Sequence, residues 1–228
     1  MIKLSNINKF YYTKDLKTQA LKDINLHVEQ GEFVSIMGPS GCGKSTLLSL
    51  MGLLDEASEG HISIGGQVVG EYNNVKYADI RKDKIGFIFQ SFNLINELNV
   101  YENVELPLLY RNIPKAKRKK RIEDALEKVK LSTRANHLPN QLSGGQQQRV
   151  AIARTLVCQP EIILADEPTG NLDSEMGQEI MDILMDLNKE SGITIVMVTH
   201  DETHARYTER VIKLFDGKIV NVTYDKVS

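Results

Sequence analysis

A chain of 228 residues, 41% hydrophobic and 25% charged, has the composition of a protein that folds in water around a sizeable core, as one elaborated domain. Its 28 basic residues nearly balance 30 acidic ones, and the net charge of -2 excludes a global positive field that would hold nucleic acid without sequence preference. The two cysteines, Cys42 and Cys158, imply a reducing compartment, because one lies in a glycine-rich loop where a disulfide would distort its surroundings.

The N-terminus, broken by Lys3, Asn6, Asn8 and Lys9, lacks the apolar core of a secretion signal. Residues 2–6 and 21–28 read as strands, Gly31-Glu32 as a turn, and Phe33–Met37 as a short buried strand running into Gly38. A helix is predicted over residues 45–53, then a hairpin turning at Gly65-Gly66, then a strand over Ile85–Phe89. From residue 92 to 158 the periodicity is helical and no strand is convincing. The basic stretch KAKRKKR lies here and is followed by Glu123, Asp124 and Glu127, a mixture that favours a solvated helix face with i,i+4 pairs over a nucleic-acid or lipid contact. Strand character returns in EIILADE, followed by a helix over residues 174–189, the β-branched run TIVMVT, and a hairpin turning at Asp216-Gly217. Apolar runs such as residues 195–198 are too short to cross a bilayer, so membrane work needs another chain. The order implies an α/β protein with a substantially parallel sheet. A core and β subdomain (1–90 and 159–228) are split by a helical subdomain (91–158).

The segment GPSGCGKST comprises Gly38, Pro39, Ser40, Gly41, Cys42, Gly43, Lys44, Ser45 and Thr46, and fits G-x-x-x-x-G-K-[ST] between a predicted strand and a predicted helix. Its glycines let backbone N–H groups converge on an anion, and the helix adds the positive end of its dipole. Phosphate is the natural guest, with Lys44 reaching the β and γ phosphates and the Ser45 hydroxyl ligating Mg²⁺. Cys42, near helix N-terminal N–H groups and Lys44, is expected to be alkylation-sensitive; the other role open to it is a small residue filling space. The strand at 162–167 ends in two carboxylates, which are costly there unless a cation or a reaction uses them. Asp166 is the candidate Mg²⁺ partner and Glu167 the candidate base for an attacking water. His200 and Gln90 each follow a buried-type strand, His200 placed to contact the γ phosphate and Gln90 to coordinate Mg²⁺ or orient water.

LSGGQQQR, before an amphipathic helix, resembles the signature of ATP-binding cassette (ABC) proteins, and the resemblance covers essentially the whole chain. It implies a P-loop NTPase (RecA-like) core with an antiparallel β subdomain and an inserted helical subdomain, acting as an ATPase with ATP and Mg²⁺. Gly144 and Gly145, with Ser143 and Gln146, would form a second anion site that cannot fold onto the chain's own phosphate loop. A head-to-tail homodimer would then sandwich two ATP molecules, each between one phosphate loop and the opposing signature. By the same resemblance Tyr11 would stack on adenine, with Tyr12 as fallback. Gln90 would link nucleotide to the membrane partner, Glu167 would be the catalytic base, His200 the switch histidine, and Asp173 of NLDS would belong to a loop crossing the dimer interface. No motif is degenerate, so two active sites are expected.

Within that family IGFIFQSFNLINELNVYENVELPLLY, GPSGCGKSTLLSLMGLLD and DEPTGNLDS are most similar to ATPases of macrolide exporters, lipoprotein-release complexes and bacitracin-type resistance transporters. The implied partner is an integral membrane permease contacted around Phe92, Asn93, Leu94, Leu98 and Glu102, which places the chain at the cytoplasmic face of the membrane. A regulatory cassette of a cell-envelope complex and a soluble ABC ATPase of translation or repair are the alternatives. Against the latter, no second cassette, coiled coil or zinc module is present.

Overall fold

The computed structural model describes residues 1–14, 16–69 and 74–224. Two long strands, β1 (Ile2–Tyr12) and β2 (Lys17–Val28), pair antiparallel and run well past the limits expected from sequence. Irregular register hid their length. The pairing shifts between Leu4 and Ile7, again between Ile7 and Lys9, and again between Lys9 and Phe10, and Asn6 and Asp23 take positive φ of 51° and 47°. Such bulges break the period of two by which a strand is recognised. Asparagine side chains satisfy the bulged backbone: Asp23 N donates to Asn8 Oδ1 at 3.0 Å and Asn6 N to Asn25 Oδ1 at 2.9 Å. β4 (Glu59–Ile64) and β5 (Gln67–Val69) form the expected hairpin, completing a four-stranded sheet in the order β2-β1-β4-β5.

The second sheet has the order β10-β9-β3-β8-β7-β6, formed by β3 (Phe33–Met37), β6 (Ile85–Phe89), β7 (Ile162–Asp166), β8 (Thr194–Val198), β9 (Arg210–Phe215) and β10 (Lys218–Tyr224). All its pairings are parallel except the β9–β10 hairpin, whose turn residues Asp216 and Gly217 both have positive φ, 50° and 75°. Both faces are covered, which is why these strands read as unbroken apolar runs. On one face Ile36, Leu164, Val196 and Val198 pack with α1 (Lys44–Met51) and the antiparallel sheet. On the other Ile163, Ala165, Ile195 and Met197 pack with α5 (Gly144–Leu156) and α6 (Ser174–Ser191).

Sequence reading missed α2 (Asn74–Lys84), since its apolar contacts with the core come from Tyr77 and Ile80, a stripe too narrow for a periodic signal. No strand lies between β6 and β7 among the described residues. That span holds α3 (Val100–Tyr110), α4 (Lys115–Lys128) and α5. On the basic face of α4, Arg118 pairs with Glu105 at 2.7 Å and Lys119 with Glu123 at 3.8 Å. The loop leading into α3 is built around Asn103, which is fully buried: its Oδ1 accepts from Ile95 N at 2.8 Å and its Nδ2 donates to the carbonyls of Ile95, Leu98 and Asn99. An unpaired buried polar group costs about 1–3 kcal/mol. Asn103→Leu is therefore expected to lower unfolding free energy by about 2–4 kcal/mol in urea titrations.

Candidate active site

At the end of β3 the chain turns into α1 through a loop that only glycine permits in two places. A Cβ on Gly38 would lie 2.1 Å from the Leu214 carbonyl oxygen, and one on Gly43, at φ 105°, would lie 2.7 Å from that of Ala20. Backbone is therefore packed against backbone, which fixes the course of the loop. Lys44, 9% exposed, curls over the loop and donates to the carbonyls of Gly38 and Pro39, both at 2.9 Å. The cavity above it, about 530 Å³, is lined by Ala20, the loop residues Gly38, Pro39, Ser40, Gly41, Gly43, Lys44, Ser45 and Thr46, and, from across the sheet, Glu167 and His200.

Cys42 is the exception in this loop. Its side chain is 5% exposed, belongs to the apolar core and points to Gly38, not into the cavity. A thiol enclosed by aliphatic side chains is shielded from reagent, which favours the other role open to Cys42, filling space. Its backbone is engaged as well, the N–H on the Pro39 carbonyl at 3.3 Å and the carbonyl accepting from Gly217 N at 3.0 Å, and Cys42 does not line the cavity.

Strand pairing brings the acidic groups to the loop. Asp166 is registered with Val198 on β8, so Glu167 and His200 emerge together at the C-terminal ends of neighbouring parallel strands, where α/β sheets place ligands. Burial, then the neighbouring Glu167, raise the Asp166 carboxyl above its ordinary value, whereas Lys44 and a hydrogen bond from Ser45 pull it down. Glu167 has φ 46°, a left-handed conformation that costs a non-glycine residue about 1–3 kcal/mol. It is held there by its N–H on the Val198 carbonyl at 2.9 Å, and its Oε2 lies 3.1 Å from His200 Nδ1.

Other expected residues stand outside this cavity. Gln90 is not in its lining; its Nε2 donates to Asn171 Oδ1 at 3.2 Å. Tyr11 donates its hydroxyl to Asp55 at 2.9 Å and carries Lys9 Nζ 4.9 Å from its ring centroid, whereas Tyr12 is more exposed. Ser143 caps α5 reciprocally with Gln146, and Gly145 packs on Met176, where a Cβ would come within 3.2 Å. Asp173 caps α6 through the N–H of Met176 at 2.9 Å and shares a second cavity with Glu167 and His200. None of residues 142–149 lines the cavity at Lys44.

Three supporting residues escaped the sequence reading. Gln148, fully buried, donates to the carbonyls of Phe89 (3.2 Å) and Pro168 (2.6 Å), tying α5 to the residues that precede Gln90 and follow Glu167. Arg154, whose pKa burial lowers, donates to the carbonyls of Phe92 and Asn93. Asn171 holds Gln90. The only signal for Gln148 and Arg154 was a polar residue on the buried stripe of an amphipathic helix.

Comparison with known proteins agrees with this geometry. The family model described as ABC transporter matches residues 21–170. An uncharacterized ABC transporter ATP-binding protein of Methanocaldococcus jannaschii is 52% identical over 97% of this chain and 99% of its own length. The macrolide export ATP-binding/permease protein MacB of Aggregatibacter actinomycetemcomitans is 47% identical over 98% of this chain, which spans 34% of that longer protein. Among solved structures, the dimeric post-hydrolysis state of the cassette MJ0796 from M. jannaschii, bound to ADP and Pi, superposes with a TM-score of 0.89 at 49% identity, covering 98% of both chains.

Two outcomes are expected. Maleimide added to the native protein should leave Cys42 unlabelled with or without nucleotide, both thiols reacting after unfolding in urea, as read by mass spectrometry. Because Asp166 is raised in the fold, its contribution to stability is full below its unfolded value near 3.8 and is lost as pH rises through the higher folded value. Asp166→Asn should then raise the Tm of the nucleotide-free, Mg²⁺-free protein at pH 7 by about 1–2 °C, while abolishing Mg²⁺-dependent hydrolysis.

Proposed function

Because the chain belongs to the ABC transporter family, as its ATP-binding and ATP-hydrolysing cassette, we propose that two copies close head to tail on ATP and drive export, extraction or mechanical motion by a separate membrane permease. The observation that carries this reading is the composition of the cavity: one chain supplies Lys44, Ser45, Glu167 and His200 and nothing from 142–149. The second grip on phosphate has to come from another copy, through the N-terminus of α5 at Ser143, Gly144 and Gly145.

The donor set fits Mg²⁺. Asp166 is a half-buried carboxylate held by the Ser45 hydroxyl and kept unfavourably charged by its surroundings, which a divalent cation would relieve. Among the described residues no cluster of three or more His, Cys, Asp or Glu could hold a metal alone, which suits an ion bound by one carboxylate together with substrate phosphates. Ser45, Asp166 and Gln90 would hold it, and when bound it supplies charge neutralisation on the β and γ phosphates.

In this reading the loop N–H groups and Lys44 fix the β and γ phosphates, with Lys44 exchanging its carbonyl partners for phosphate oxygens. Tyr11 stacks on the base. Glu167 accepts a proton from the water that attacks the γ phosphorus as the bond to the bridging oxygen breaks, releasing ADP and phosphate. His200, hydrogen-bonded to Glu167, orients that carboxylate and contacts the γ phosphate. Strain at Glu167 keeps the base aimed at the cavity mouth. Asp173 contributes across the dimer interface.

The helical subdomain, residues 91–158, carries the signature and meets the permease. Beside the segment 92–102, a mainly apolar groove of about 540 Å³ is lined by Phe87, Phe89, Leu106, Pro107, Tyr110 and Arg154, with the two phenylalanine rings stacked 5.8 Å apart. It suits an apolar cytoplasmic helix of the partner. No helix among the described residues is long and apolar enough to cross a membrane, so attachment to its cytoplasmic face runs through that partner.

Glu167→Gln is the test. Hydrolysis should fall by about 10²- to 10⁴-fold while the variant elutes as a dimer with Mg²⁺ and ATP and as a monomer without them. Hydrolysis at the parental rate together with monomeric elution in ATP defeats the proposal.

A further inference from the structure

Gln90 and Asn171 are joined by a reciprocal amide pair. Gln90 Nε2 donates to Asn171 Oδ1 at 3.2 Å, and Asn171 Nδ2 donates to the main-chain carbonyl of Gln90 at 3.0 Å, linking the loop after β6 to the loop after β7. Gly170 forms the floor beneath the pair. A Cβ there would lie 2.8 Å from Gln90 Nε2, 3.1 Å from Cδ and 3.3 Å from Cγ, so its three nearest neighbours all belong to that one side chain. Gly170 is not among the glycines with positive φ, so conformation does not demand glycine at this position. What demands it is room for Gln90 to lie flat. In that posture Gln90 takes no part in lining the nucleotide cavity.

We infer that Asn171 is a positioning residue that holds the Gln90 side chain folded back on Gly170, and that Gln90's move to the nucleotide removes one of the two bonds of Asn171 and so loosens the loop leading to Asp173 in the same step. This rests on the reading of Gln90 as a nucleotide-directed residue given above. The single neutral, exposed hydrogen bond made by the Gln90 side chain is weak enough for a bound nucleotide to break. Gln148 keeps the roots of both loops together through the carbonyls of Phe89 and Pro168, so the exchange stays local to the two amides. Nucleotide arriving at one loop is thereby felt, two residues along the other, at the segment proposed to meet the second copy.

The experiment is a double-mutant cycle on the full chain: parent, Asn171→Ala, Gln90→Ala and the double variant. Affinity for a non-hydrolysable ATP analogue is measured by calorimetry with Mg²⁺ and with EDTA, and hydrogen exchange of residues 89–93 and 168–173 is measured without nucleotide. Asn171→Ala is expected to tighten binding about threefold to tenfold with Mg²⁺, to do so only where Gln90 is present, and to speed exchange in both loops. Gly170→Ala, whose methyl displaces only a flexible amide, should reproduce the gain. An Asn171→Ala effect that is absent, or equal in the two Gln90 backgrounds, overturns the latch. A Gln90→Ala protein that matches the parent in Mg²⁺-dependent affinity overturns the role of Gln90 itself, and the latch with it.

Discussion

Close approach of backbone to backbone at Gly38 and Gly43 is the constraint on which the site depends. With no side chain at either position, the loop after β3 lies against the carbonyls of Leu214 and Ala20. Helix α1 begins at that point, and the positive end of its dipole adds to the same field. Lys44 donates to the nearest carbonyls, those of Gly38 and Pro39. The anion seat is thus a property of the main chain, and the surrounding side chains act on whatever sits there.

Opposing charges complete the arrangement. Asp166 and Glu167 stand side by side at the end of β7, an arrangement unfavourable in itself, and the raised carboxyl of Asp166 records the cost. Lys44 and the Ser45 hydroxyl offset part of it. Stability given up by this pair is recovered as binding of a cation and a polyphosphate, a common relation between strained, charged sites and their ligands. The left-handed backbone of Glu167 belongs to the same account, for it turns the side chain away from the strand's own periodicity and toward His200.

Buried polar side chains on the helices connect this centre to the rest of the molecule. Gln148, Arg154 and Asn103 each bond several carbonyls of loops that lead to or from the catalytic strands. Helix α5, which carries Ser143 at its tip, is thereby tied to the Phe92–Asn93 segment and to Pro168, with a mainly apolar groove alongside.

The sequence by itself determined the parallel sheet, the phosphate loop, the acidic strand end and the family, because each depends on local rules: apolar runs of fixed length, glycines at fixed spacing, and motifs that must sit at strand-to-helix turns. Tertiary structure alone decided the extent of β1 and β2, whose bulges erase the alternating pattern, and the existence of α2, of whose described side chains Tyr77 and Ile80 pack on the core. It also decided that Cys42 faces the core and that Gln90 lies on Gly170 beside Asn171. Those outcomes turn on which distant segments pack together, and spacing along a chain carries no record of distance across it.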